Sequence, residues 1–112
     1  MTPRWHIVEE GATLTLSRVW PPRFDLSAEA RFPDARRLRL AQQIRQDMWR
    51  RLRHLRGFRP VVAVTRDAEG LTVKAGGAAL SPVPGIARHH LAELLSDPAH
   101  RRRWLTHAGR GR

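Results

Sequence analysis

Cysteine is absent from this chain of 112 residues, and lysine occurs once, as Lys74. Without thiols there are no disulfide staples and no thiolate zinc sites, and a reducing cytoplasm is the expected location. No run approaches the ~20 apolar residues that a membrane-spanning helix needs. The stretch from Met1 to Gly11 carries Arg4, Glu9 and Glu10 where a signal peptide would have an apolar core. Signals of catalysis are missing too: there is no HExxH, no phosphate-binding glycine loop and no nucleophile elbow around a serine. His89 and His90 with Glu93 have H-x-x-E spacing, but no second pair completes a metal site, so a structural or exposed role is expected for them. A His/Arg ribonuclease needs no strict local motif, and it would draw on His54, His89 or His90. The expectation is a protein that is not an enzyme, with no catalytic residue, metal or cofactor.

Acidic residues are scarce: 10 of them face 21 Lys and Arg, for a formal charge of +11. Codon usage in a GC-rich genome favours Arg over Lys, yet it leaves Asp and Glu codons available and so does not explain the net charge. The distribution is more telling than the total. Met1 to Ala35 and Pro60 to Asp97 are each close to neutral, whereas Arg36 to Arg59 holds nine Arg against Asp47 alone. Pro98 to Arg112 adds five Arg and no acid. Local basicity of this kind is the footprint of a binding surface, and the planar arginine fork suits phosphate or carboxylate.

Hydrophobic residues make up 41% of the chain, enough for one core at this length. Trp5 to Val8 and Ala12 to Val19 read as strands around a turn, the second with Leu14 and Leu16 alternating with Thr13, Thr15 and Ser17. Trp20-Pro21-Pro22 interrupts the ladder, and Phe24 to Phe32 alternates again as a third strand. Asp34 is placed to cap a helix over Ala35 to Arg56, roughly 33 Å long, with Gly57 to end it. Val61 to Thr65 and Leu71 to Ala75 form a second hairpin, Gly76-Gly77 a loop, and Ile86 to Leu95 and Ala99 to Thr106 two short helices, the latter capped by Ser96 or Asp97. The fold class is therefore α+β in the order βββαββαα. A mostly antiparallel sheet of about five strands carries one long amphipathic helix on one face and two short helices at the C-terminal end. Residues 1–106 make a single domain, and 107–112 a basic Gly/Arg tail expected to be disordered. Trp20, Phe24, Phe32, Leu38, Ile44, Met48, Leu52 and Leu55 are expected to share its core.

On the polar side of the long helix, Arg39, Gln43, Gln46, Arg50 and Arg53 step by four, three, four and three, so they form one stripe, with Arg36, Gln42 and His54 beside it. Exposed helices usually alternate charge signs, and this one tolerates repulsion along its length, as a helix built for an anionic partner does. Arg101, Arg102 and Arg103 form a second basic group. The open sheet face lacks the aromatic platform of an RNA-recognition sheet, offering Thr13, Thr15, Ser17, Asp25, Ser27, Glu29, Arg31, Thr72 and Lys74. The expected function is nucleic-acid binding, DNA or RNA, through Arg36, Arg39, Gln43, Gln46, Arg50, Arg53, Arg101, Arg102 and Arg103. The alternative is a protein-interaction module or small accessory subunit that docks an acidic protein surface. A homodimer is compatible with either, and no membrane partner is expected.

Overall fold

The computed structural model describes residues 5–80 and 82–110. Five strands and three helices follow one another as β1 (His6–Glu10), β2 (Thr13–Ser17), β3 (Leu26–Phe32), α1 (Arg37–Leu52), β4 (Arg59–Asp67), β5 (Gly70–Ala78), α2 (Gly85–Ser96) and α3 (Pro98–Ala108). The order is βββαββαα and the class α+β, as the alternation of periods two and 3.6 predicts. All five strands join one antiparallel sheet in the spatial order β1-β2-β4-β5-β3.

Alternation along the strands becomes rows across the sheet. Leu14, Val64, Val73 and Ala30 form one row and Leu16, Val62, Ala75 and Ala28 the next, all on the side where the helices lie. The opposite side carries Thr13, Thr65, Thr72 and Arg31, with Thr13 and Thr65 hydrogen bonded through their hydroxyls at 2.7 Å. Arg31 also donates to Asp67 at 2.7 Å, and this guanidinium contact holds the Asp67 carboxyl down to about 2.

The third strand departs from the simplest meander. Instead of lying beside β2, it pairs with β5 at the far edge, so residues 18–25 cross the ends of β4 and β5, tied by Arg18 N–H to the Pro60 carbonyl and Asp25 N–H to the Gly77 carbonyl. Gly76 and Gly77, expected as a loop, are part of β5. A Cβ on Gly76 would stand 2.0 Å from the Leu26 carbonyl oxygen, and one on Gly77 2.1 Å from that of Arg59. The glycines let both neighbouring strands close on β5, a use of the residue that composition does not distinguish from a turn.

The same crossing changes the core. Trp20, 42% exposed, stands beside His6 with ring centroids 6.2 Å apart, and Phe24 lies under the Lys74 ammonium at 4.4 Å. His6 and Lys74 belong to the helix-free side of the sheet, so Trp20 and Phe24 sit there and not in the helix–sheet core, and that side does carry two aromatics.

Helix α1 is shorter than expected: 16 residues, about 24 Å. Its N-cap is Arg36 without a side-chain cap, because Asp34 accepts instead from Arg66 Nε at 2.8 Å. Residues 53–56 leave the helix in a turn and Gly57 follows at φ 66, a left-handed backbone that favours glycine. Leu40, Ala41, Ile44, Met48 and Leu52 are buried against the sheet, and Leu38 packs at the margin. Leu52→Ala is expected to destabilise the protein by about 2–5 kcal/mol in urea denaturation, the range for truncating a fully buried leucine; a change below ~0.5 kcal/mol would contradict this helix orientation.

Helix α3 starts at Pro98 with Asp97 as its cap, the Asp97 carboxylate accepting from His100 N–H at 2.9 Å. That backbone N–H and the His100 ring nitrogen hold the carboxyl below its ordinary value. The helix runs on through His107 and Ala108, and Arg110 forms a β-bridge with Ala35, so the first part of the expected tail belongs to the domain. Residues 111–112 lie outside the described residues.

Candidate nucleic-acid interface

The buried side of α1 leaves the residues half a turn away facing outward. Arg36, Arg39, Gln46, Arg50 and Arg53 are exposed and Gln43 is half-buried, so the stripe lies on the solvent side of one helix as its spacing predicts. Other arginines of the same segment look inward or sideways and act as fasteners. Arg37 donates to the Ala12 carbonyl at 2.9 Å and pairs with Glu9, tying α1 to the β1–β2 hairpin. Arg51 pairs with Glu93 at 3.0 Å, tying α1 to α2.

Asp47, the single carboxylate of the basic segment, organises the surface. Its side chain is 11% exposed, accepts from Trp104 Nε1 at 2.7 Å and from Arg103, and stands 3.6 Å from Arg50. One carboxylate thereby fastens α1 to α3 and sets Arg103 beside Arg50, bringing together two basic segments more than fifty residues apart in the chain. Its charge is turned into this joint, so little of it remains to neutralise the stripe. Arg36, Arg39, Arg53 and Arg102 are exposed and make no ion pair among the described residues.

Arg101 does not join them. Its guanidinium lies 3.9 Å over the Phe32 ring and donates to the carbonyls of Leu95, at 3.0 Å, and Arg31. Burial pushes its pKa down, and the residue serves as a bracket between α3 and β3. Glu93 is shared by Arg51 and His89, the latter at 3.4 Å, and the His90 ring stands beside that of His89, with centroids 6.3 Å apart. Among the described residues no group of three His, Asp or Glu is arranged to hold a metal ion. No helix among them is long and apolar enough to cross a membrane.

Sequence reasoning missed Asp47 as a joint, although a lone acid among nine arginines was its signal. It also missed Arg18, Arg45 and Arg59, which with Trp5, Trp49 and Phe58 line a cleft on the flank of α1. Asp47→Asn should lower stability by about 1–3 kcal/mol through weakened charge-assisted bonds, while raising the affinity of the folded protein for polyanions. Unchanged stability would count against the joint.

Fold and site together define a small α+β protein with an arginine- and glutamine-bearing helix face, beside which α3 sets Arg103, with the exposed Arg102 next to it in the chain. Compared with known proteins, the chain matches no family, no curated protein and no solved structure, so its own residues carry the functional reading.

Proposed function

We propose that the protein is a non-catalytic, cytoplasmic nucleic-acid-binding protein that lays the outer face of α1, with Arg102 and Arg103 of α3, along a phosphate backbone. The observation that carries this is the uncompensated guanidinium face around Asp47, whose own charge is spent on Arg103, Trp104 and Arg50. Guanidinium forks bridge phosphate oxygens in pairs, and the interleaved Gln42, Gln43 and Gln46 add donors and acceptors without opposing charge. Binding through such a face releases counterions and is independent of sequence to first order.

A second reading, docking of an acidic protein surface or pairing of two copies, draws on one observation. Among the described residues β1 is an edge strand, with Ile7 48% exposed, and such an edge can accept another strand. The two readings separate on purification from cells with and without nuclease. The first expects absorbance at nucleic-acid wavelengths to co-purify and to vanish after nuclease; a stoichiometric protein band that survives nuclease, with no nucleic acid in either sample, would support the second.

A further inference from the structure

Beside the α1 stripe lies a cleft of about 480 Å³, within the ordinary size range of small-molecule sites. Four stretches build it: Trp5 leading into β1, Arg18 just after β2, Arg45 and Trp49 on the flank of α1, and Phe58 and Arg59 where β4 starts. Among the described residues its lining has three aromatic rings, three guanidiniums and no carboxylate. Arginine charge in a crevice is ordinarily balanced by an acid, and for Arg45 the described residues supply none.

The Arg45 guanidinium lies 4.8 Å over the Trp5 ring and that of Arg18 at 5.8 Å. Arg45 has no ion pair among the described residues, and its Nε is buried without any hydrogen-bond partner. Burial alone pulls its pKa down, the mark of a cation held where no counter-charge is supplied. A buried cation without counter-charge is costly, and an anion in the cleft would supply that counter-charge to the guanidinium. Trp49, at the rim, is 42% exposed although its ring stacks nearly parallel on Phe58, at 9°. A partly exposed indole beside Arg45, a cation with no ion pair among the described residues, offers two things at once, a π-face and positive charge. Nucleotides have the matching pair, a flat base and a phosphate.

We propose that this cleft is a nucleotide pocket, seating one unpaired base of a single strand against Trp49 and Trp5 and its phosphate among Arg18, Arg45 and Arg59. The inference rests on the nucleic-acid reading above and deepens it by naming the substrate class. Arg50 follows Trp49 on α1 and Arg53 is the C-cap of that helix, so a strand leaving the cleft meets the stripe directly. Bases in a duplex are already paired and stacked, so the pocket discriminates in favour of single strands and frayed ends, with little preference among bases because every base has a π-face.

The test compares a short oligothymidylate with a duplex of equal length. Trp49→Ala is expected to weaken single-strand binding roughly 5- to 100-fold, the range for removing one ring on which a base stacks, and to leave duplex binding within about twofold. Trp49→Phe should restore most of the affinity, and Arg59→Gln, an exposed change safe for folding, should weaken the single strand more than the duplex. If Trp49→Ala affects both substrates equally or neither, the pocket is overturned while the α1 stripe stands. If the wild type binds neither oligomer, the nucleic-acid reading fails, and thymidine monophosphate then judges the cleft by itself. Saturable tryptophan quenching weakened by Arg59→Gln would uphold the pocket, and its absence would overturn it. Polyglutamate supplies anions without bases; binding of it that depends equally on Trp49 would assign the cleft to an acidic protein and overturn the proposal.

Discussion

Replacing Arg39, Arg50 and Arg53 together by Gln is expected to leave the fold intact and to weaken nucleic-acid binding roughly a hundredfold at moderate salt. Gln matches Arg in helix propensity, so α1 should persist. Within the protein the change removes only the 3.6 Å approach of the exposed Arg50 to Asp47, and exposed pairs contribute about 1 kcal/mol at most. Three phosphate contacts at about 1 kcal/mol each amount to about two decades of affinity. The plot of log affinity against log salt should become shallower by about one unit for each arginine that no longer meets a phosphate. That slope separates direct contacts from a general change in the field of the protein. Unchanged affinity with an unchanged slope would remove the helix face from the interface and leave Arg102, Arg103 and the residues that follow as the remaining candidates.

Trp104→Ala is expected to produce the largest loss of stability, about 3–5 kcal/mol, the range for a fully buried aromatic. Trp104 has no exposed surface, its ring lies 6.2 Å from Phe32 and 5.7 Å from His100, and its Nε1 donates to Asp47. The indole is thus the apolar half of the α1–α3 joint whose polar half is Asp47. Removing it should free α3 from α1 and with it the placement of Arg103, so any folded remainder should also bind polyanions less tightly. A loss below about 1 kcal/mol in urea denaturation would show that α3 is peripheral.

Local periodicity made the elements and the stripe legible. Leu14, Leu16, Val62 and Val64 declare one sheet face, and Ile44, Met48 and Leu52 declare the buried side of α1, which fixes by default where Arg39, Gln46 and Arg50 point. What depends on pairing across distance was not legible. The close approach of β3 to β5 depends on Gly76 receiving the backbone of Leu26, far from it in the chain, as that of β4 depends on Gly77 receiving Arg59. Because residues 18–25 make that crossing, Trp20 and Phe24 lie on the opposite sheet side and not in the expected core. Arg101, Arg102 and Arg103 look equivalent as a run of three. Their separation by 100° steps around α3 sends Arg101 onto Phe32 and Arg103 to Asp47, which only the docking of α3 decides. The cleft was hidden for the same reason, since Trp5, Arg18, Arg45 and Arg59 come from four separate stretches.

The central claim is that this surface binds nucleic acid through its phosphates. Fluorescence anisotropy of the wild-type protein with a labelled mixed-sequence single strand and its duplex, titrated over a series of salt concentrations, addresses it most directly. Binding to both is expected, tighter for the single strand, with affinity falling linearly in log–log form at a slope that reflects several displaced counterions. No binding at low salt, or an affinity indifferent to salt, would contradict it.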